Sequence, residues 1–176
     1  MSNANTNSMA AILSQVVLFI YWAAIIVGIG GFLLVGTGLL GTMNGGAVIL
    51  PGMEAYAEDV KPGRMFVAMV GIVVFAAGIA YVCSQLRRIL STLAEGDPFV
   101  PENGPRLTRI AMAIAAIEII RTLATLIIDA TVDLGDNYVA SISFNLTVWG
   151  AVVVLFVLAQ VFREGARLRE EQKMTI

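Results

Sequence analysis

The sequence predicts an all-α fold, an integral membrane bundle of four transmembrane helices that forms one domain over residues 1–176. Hydrophobic residues make up 58% of the 176 residues and charged residues 14%, and the mean hydropathy is +0.84. Because soluble domains carry roughly a quarter charged residues, this balance belongs to the membrane class. Polar segments also separate four apolar runs of about the length, roughly 20 residues, that crosses a bilayer.

The same composition excludes several classes of function. A net charge of -2 provides no basic excess with which to bind nucleic acid. The chain has no histidine and one cysteine, Cys83, so it can form neither an intrachain disulfide nor a cysteine/histidine zinc site. No nucleophile–base pair, phosphate-binding loop or metal cluster can be assembled from its motifs. We therefore expect a protein that is not an enzyme and that carries no cofactor.

The first two spans are predicted at about 12–40 and 65–83, joined by a loop over 41–64 that contains glycine and proline. Small residues mark both spans. Ala24 with Gly28, and Ala76 with Ala80, have the four-residue spacing at which neighbouring helices approach closely. Glycines of the same kind recur through the second half of the first span at Gly28, Gly30, Gly31, Gly36 and Gly38.

The second helix is predicted to extend past the membrane into a cytoplasmic loop over 84–106. An apolar stripe continues there at helical spacing, at Val82, Leu86, Ile89, Leu90 and Leu93. Gly96 occupies the position of a glycine that ends a helix, and Pro98 blocks continuation. Arg87 and Arg88 flank the stripe, where they either contact anionic lipid headgroups or form a docking face for a partner.

The third span is predicted at 107–128, with Asn103 as the N-cap of its helix and Pro105 in the first turn. Glu118 and Arg121 lie near mid-depth, where ionisable side chains are costly and are functional candidates. Being three residues apart, they can pair. A small and polar face that points away from lipid is predicted at Ala111, Ala115, Glu118, Thr122, Thr125 and Asp129.

The fourth span is predicted at about 142–162, with Asn145 in its outer half. The helix is expected to continue as a charged cytoplasmic tail over 163–176. In this tail Arg167 lies three residues after Glu164 and four before Glu171, so it can pair with either across adjacent turns.

Basic residues predict the orientation of the four spans. The stretch 86–110, which contains the central loop, has four arginines, and the tail has three arginines and a lysine, whereas the two opposite loops contain only Lys61 and Arg64. By the positive-inside rule, this distribution of eight basic residues against two predicts that both termini are cytoplasmic. We therefore expect a multi-pass protein of the inner cell membrane.

Two polar segments carry a resemblance to a known family. GDPFVPENGPRLTRI, at 96–110, and VFREGARLREEQKMTI, at 161–176, resemble the bacterial four-helix membrane family called domain of unknown function two-nine-seven-five. The loop pattern G-x-P-F-x-x-x-N-x-x-R-L matches at Gly96, Pro98, Phe99, Asn103, Arg106 and Leu107. The tail pattern matches at Phe162, Gly165, Leu168, Glu171, Thr175 and Ile176. The resemblance implies a multi-pass membrane protein without an assigned activity, in a family often encoded beside a small helix-turn-helix regulator.

Two functions are open at this point. The first is a non-enzymatic regulatory or signalling protein that binds a soluble partner, such as a helix-turn-helix regulator, through the cytoplasmic loop and tail. Its candidate partner-binding residues are Arg87, Arg88, Asp97, Pro98, Phe99, Asn103, Arg106, Arg163, Arg167 and Glu171. The alternative is a small transporter or an ion or proton pathway that uses Glu118 and Arg121. In either case the lipid bilayer surrounds the chain, and no direct contact with nucleic acid is expected. The sequence is compatible with both a monomer and a homo-oligomer.

Overall fold

A computed structural model describes residues 2–43, 62–131 and 145–174, and within these ranges the chain is helical without strands. The helices are α1 (Ser2–Met43), α2 (Pro62–Ala94), α3 (Asn103–Thr131) and α4 (Leu146–Lys173). Each contains a segment long and apolar enough to cross a membrane, and these segments are Ile12–Gly41, Met65–Ala94, Asn103–Ile127 and Leu146–Gln172. The predicted all-α class with four spanning helices is therefore confirmed. Most of the predicted loop over 41–64, and residues 132–144 between α3 and α4, lie outside the described residues.

The chain divides into two compact units. The first unit comprises Met1–Ala23, Gly78–Ala116 and Asn145–Ile176, and the second unit comprises Ala24–Ala77 and Ile117–Phe144. The helices α1, α2 and α3 each contribute one segment to the first unit and one to the second, whereas α4 lies in the first unit alone.

The core of the first unit contains the apolar stripe that the sequence predicts beyond the second span. Ile89 is buried with Leu107, Ile110 and Ala159, and Val82, Leu86 and Leu93 pack against this cluster. A second cluster joins Leu90 to Val17 and to Cys83, which is a free, buried thiol. The stripe has apolar neighbours on α1, α3 and α4, which explains why α2 continues to Ala94.

The second unit brings α1 and α2 together through small side chains. A Cβ added to Gly28 would lie 2.5 Å from the Cβ of Ala76, so this contact requires glycine. One added to Gly31 would meet Ile72 at 3.4 Å, whereas Gly30 faces open space. The close approach of neighbouring helices that the small residues predict is confirmed for Gly28 with Ala76.

The helix α3 has the inward face that the sequence predicts. Along it, Ala111 and Glu118 are buried and Ala115, Thr122 and Thr125 are half-buried. The apolar side chains between them are exposed, as at Met112, Ile119, Ile120, Leu123, Leu126 and Ile127. The side chain of Asp129 lies outside the described part of the chain.

The helix α4 differs from the prediction at its start. Asn145, predicted inside the span, is instead the N-cap, and its Oδ1 accepts a hydrogen bond from the Val148 N–H at 3.3 Å. An asparagine carboxamide can satisfy one of the N–H groups that lack a partner in the first turn, so α4 begins directly after this residue. From Leu146, α4 runs without a break to Lys173, so span and tail form one helix as predicted.

Candidate functional site

The turn that ends α2 fixes the direction of the loop between α2 and α3. Gly96 has φ +82°, a left-handed conformation that favours glycine. The Gly96 N–H bonds to the Leu93 carbonyl at 3.1 Å and the Asp97 N–H bonds to the Thr92 carbonyl at 3.0 Å. This pair of bonds is a Schellman motif, which satisfies the last carbonyls of the helix. The predicted role of Gly96 as the glycine that ends α2 is confirmed. The turn places Asp97 directly after the end of this helix.

Asn103 is the centre of a polar network that closes the loop. It is fully buried. Its Nδ2 donates to the Thr92 hydroxyl at 2.7 Å and to the Pro98 carbonyl at 3.0 Å. Its Oδ1 accepts from Nη1 of Arg106 at 2.9 Å, and the same Nη1 donates to the Arg88 carbonyl at 3.2 Å. The loop is therefore tied to α2 at one end and to the first turn of α3 at the other.

This network corrects the expected role of Asn103. The residue begins α3 as predicted, but its side chain binds Thr92, Pro98 and Arg106 instead of a backbone N–H of the first turn. Its burial leaves no surface for a partner to contact. Within a partner-binding face, Asn103 would act by shaping the loop, and the binding role of the other loop residues stays a prediction.

The ring of Phe99 joins the loop to α4. Its centroid lies 5.7 Å from that of Phe162, with the two rings tilted by 43°. A Cβ added to Gly165 would come within 2.5 Å of the Phe99 ring. Glycine at this position of α4 thus leaves space for the ring one turn after Phe162, and the aromatic pair adds about 0.5–1.5 kcal/mol beyond its area burial.

A salt bridge lies beside this aromatic contact. Nη1 of Arg169 donates to Oδ1 of Asp97, across 72 positions of the chain. Both side chains are partly exposed, so solvent screens the pair and its contribution is about 0.5 kcal/mol. We call Asp97, Phe99, Phe162, Gly165 and Arg169 the loop–tail junction.

The first turn of α3 also packs against α4. A Cβ added to Gly104 would lie 2.5 Å from Cγ of Arg163 and 3.2 Å from the carbonyl oxygen of Ala159. Nε of Arg163 donates to that same carbonyl at 3.4 Å. The loop pattern and the tail pattern are therefore in contact at two places, here and at the loop–tail junction.

Other candidate residues remain at the surface of the first unit. Arg87, Arg88, Arg163, Arg167 and Glu171 are exposed. Arg167 lies 2.9 Å from Glu164 and 3.4 Å from Glu171, which confirms both predicted pairs. The structure thus brings Asp97, Pro98, Phe99, Asn103, Arg106 and Arg163 into internal contacts and leaves the others facing outward.

The ion pair in α3 lies within the second unit. Arg121 binds both carboxylate oxygens of Glu118, through Nε at 3.0 Å and Nη2 at 2.6 Å. The Glu118 side chain is 8% exposed and that of Arg121 46%. The predicted pair is confirmed, and its bidentate geometry lets a single arginine on the same helix compensate the buried carboxylate.

Three residues of this site were absent from the sequence-based candidates. Arg169 binds Asp97, Gly165 accommodates Phe99, and Thr92 accepts from Asn103. The sequence offered one signal for the first two, because the loop and tail patterns occur together in one chain. Among the residues that the structure describes, no group of acids or cysteine could bind a metal ion.

Four helices that are long and apolar enough to cross a bilayer make this a multi-pass membrane protein. Residues 10–176 match the model of the family described as "Protein of unknown function (DUF2975)". The chain belongs to that family, as the loop and tail patterns predict. Comparisons with curated proteins and with solved structures find no match.

Proposed function

We propose that this protein is a non-enzymatic regulatory component of the inner membrane that binds a soluble cytoplasmic protein through its loop and tail. The orientation rests on the positive-inside rule, since eight basic residues occur in the stretch 86–110 and the tail, against two in the opposite loops. Both termini are then cytoplasmic, and the ends of α2 and α4 face the soluble phase.

The observation that carries this proposal is the loop–tail junction. Its residues come from segments more than 60 positions apart, yet Phe99 packs on Phe162 and Gly165 while Asp97 binds Arg169. Neither contact is needed to cross a membrane, because the apolar runs do that by themselves. A fixed arrangement of loop and tail supports a surface that a partner can recognise without first ordering it.

The exposed side chains around the junction indicate what kind of partner fits. Glu164, Arg167 and Glu171 form a row of alternating charge along α4, and Leu168 and Met174 beside them are exposed apolar residues. A polar, charged face with a few apolar residues is typical of reversible protein–protein contacts. The family resemblance makes a small helix-turn-helix regulator the first partner to test.

In-cell photo-crosslinking tests this proposal. A photoreactive amino acid in place of Glu171 should give a cross-link to a soluble protein in intact cells, identified by mass spectrometry. The matched control places the same amino acid at Val153, which is 60% exposed in the membrane-spanning part of the same helix. We expect the partner at position 171 and not at position 153.

The dependence on the junction is tested with two further variants. Deletion of 163–176 should abolish copurification of the cross-linked protein while membrane insertion is unchanged. Gly165→Ala, which displaces the Phe99 ring, should weaken copurification more than Gly150→Ala, since Gly150 has open space beside it. Equal copurification with the deletion variant would refute the proposal, and so would cross-links at position 171 only to lipid or to a second copy of this chain.

A transporter or ion pathway is the second candidate, and the buried carboxylate of Glu118 favours it. However, a proton or ion carrier must exchange its partner during transport, and both oxygens of Glu118 are bound by Arg121 on the same helix. We therefore propose that the pair compensates charge within α3. The two alternatives predict different effects of substitutions at Glu118 and Arg121 on stability and on ion flux.

A further inference from the structure

The arginines of the first unit fall into two groups according to their counter-charges. Arg167 contacts Glu164 and Glu171, and Arg169 contacts Asp97. The remaining arginines contact no carboxylate in the described part of the chain, and they are Arg87, Arg88, Arg106, Arg109 and Arg163. Four of these five are exposed, and Arg106 is half-buried. We call these five residues the arginine belt.

Contacts between helices place the belt in one layer. Arg106 donates a hydrogen bond to the backbone carbonyl of Arg88 at 3.2 Å. These two residues of α2 and α3 therefore lie at a similar height along the helix axes. Arg163 lies against Gly104, which sets α4 level with the first turn of α3. At 1.5 Å per residue, Gly104 and Arg109 are separated by about 7.5 Å along the helix axis. The belt is therefore roughly one and a half turns deep.

The depth of this layer matches that of phospholipid headgroups. The apolar run of α2 ends at Cys83, so Arg87 lies about 6 Å further along the helix. The polar region of a bilayer adds roughly 5–8 Å on each side of the hydrocarbon core. In the other two helices, Arg109 directly precedes the uninterrupted apolar stretch 110–117 of α3, and Arg163 directly follows Phe162 at the end of the apolar run of α4. The arginines of all three helices thus lie within about the same depth of the membrane.

Little negative charge from the protein is available in this layer. Glu164 is adjacent to Arg163, but it pairs with Arg167. Glu102 lies one turn before Arg106, but it forms no salt bridge in the described part of the chain, so a single acid faces the five arginines there. Glu95 lies about 18 Å beyond Cys83 along the α2 direction, and no charged residue occurs in the first 23 positions of the chain. Exposed guanidinium groups at headgroup depth without carboxylate partners match phosphodiester oxygens, which they bind in bidentate fashion.

We infer that the arginine belt binds the headgroups of anionic phospholipids in the leaflet that contains this end of the first unit. An acidic protein segment has the same charge, but lipid headgroups occupy this depth. The surface proposed for the soluble partner differs from the belt, since Arg167 there is paired with Glu164 and Glu171. The two surfaces thus have different ligands, and this inference does not depend on the proposed regulatory role.

Lipid selectivity of the full chain in nanodiscs tests the inference. The discs contain phosphatidylcholine with a trace of spin-labelled phosphatidylglycerol, and electron paramagnetic resonance measures the fraction of label that the protein immobilises. The native chain should prefer phosphatidylglycerol over phosphatidylcholine. R87Q/R88Q should lower that preference, by up to about five-fold for each arginine removed. R87K/R88K, which keeps the charge, should retain most of it.

A matched control removes equal charge outside the belt. R167Q/K173Q takes two positive charges from the tail and should leave the preference unchanged. Excess inorganic phosphate, compared with chloride at equal ionic strength, should also have no specific effect. The inference is wrong if R87Q/R88Q behaves like the native chain, if R167Q/K173Q lowers the preference as much, or if free phosphate alone displaces the lipid. The absence of any preference in the native chain would equally overturn it, and would favour an acidic protein segment as the ligand.

Discussion

The two compact units of this protein are stabilised by different kinds of contact. In the described part of the chain, ten of the eleven buried apolar side chains belong to the first unit, and Met65 alone belongs to the second. The first unit adds the buried Asn103 network and the loop–tail junction. The second unit instead relies on close backbone contact at Gly28 and on the Glu118–Arg121 pair.

This difference separates the region whose side chains contact mainly other parts of the chain from the region whose side chains contact mainly lipid. Side chains of the second unit are widely exposed and apolar, as at Phe32, Leu33, Phe66 and Val70, so lipid completes their surroundings. Side chains near the loop are covered by other parts of the chain and are joined by hydrogen bonds with defined geometry. We expect substitutions in the first unit to act through specific bonds, and those in the second to act through the space available between helices.

The largest effect is expected at Asn103. Asn103→Ala removes three side-chain hydrogen bonds and leaves the Thr92 hydroxyl, the Pro98 carbonyl and Arg106 without that partner. Unsatisfied buried groups of this kind cost about 2–4 kcal/mol in total. The matched control is Asn145→Ala at the exposed N-cap of α4, which should cost about 1 kcal/mol. Unfolding in mixed detergent micelles measures both, and equal losses would contradict the role assigned to Asn103.

Gly28 provides the corresponding test in the second unit. Gly28→Ala would bring a methyl group within 2.5 Å of the Ala76 Cβ. Because the contact involves two short side chains, the helices must separate, at a cost of about 1–3 kcal/mol. Gly30→Ala, on the same helix with open space beside it, should be neutral or slightly stabilising. If the two variants unfold at the same point, the close contact of α1 and α2 is not important for stability.

A smaller effect is expected at the ion pair, since Arg121 is partly exposed. Glu118→Gln and Arg121→Gln should each destabilise the protein, because each leaves one charge without its compensating partner. The double variant E118Q/R121Q should recover part of the loss. This double-mutant cycle is measured by unfolding and paired with an ion-flux assay in vesicles. Loss of native flux in a double variant that folds well would instead favour the transporter alternative.

Local features of this fold could be predicted from the sequence, whereas long-range ones could not. The end of α2 at Gly96 and the pairs of Glu118 with Arg121 and of Glu164 with Arg167 depend on residues within one turn of each other, which periodicity and spacing describe. The start of α4 was predicted wrongly, because hydropathy does not distinguish an asparagine cap from a polar residue inside a span. Its cap signal, a short polar side chain before an apolar helix, was present at Asn145.

The contacts of Asn103, Phe99 and Asp97 could not be predicted from the sequence, for a different reason. Each depends on which helix lies beside the loop, and in the case of Asp97 the partner is 72 positions away. Spacing along one helix contains no information of that kind. The patterns marked these residues as unusual, but only the packing of α4 against the loop explains what they contact.

The smallest effect is expected at the salt bridge of the loop–tail junction. Asp97→Asn should cost only about 0.5 kcal/mol, because both side chains of the pair are partly exposed and solvent screens their attraction. The cost should decrease at high salt. D97R/R169D, which exchanges the charges, should restore the native unfolding midpoint. A loss that does not depend on salt would mean that Asp97 acts through its place in the turn after Gly96 and not through its charge.

The central claim is that loop and tail form one fixed surface, and the coupling between Phe99 and Gly165 tests it most directly. Gly165→Ala should destabilise the protein because its new methyl group meets the Phe99 ring. In F99A/G165A the ring is absent, so the second substitution should cost far less. Unfolding of the native chain, both single variants and the double variant should give a coupling energy of about 1 kcal/mol or more. Additive effects of the two substitutions would contradict the claim.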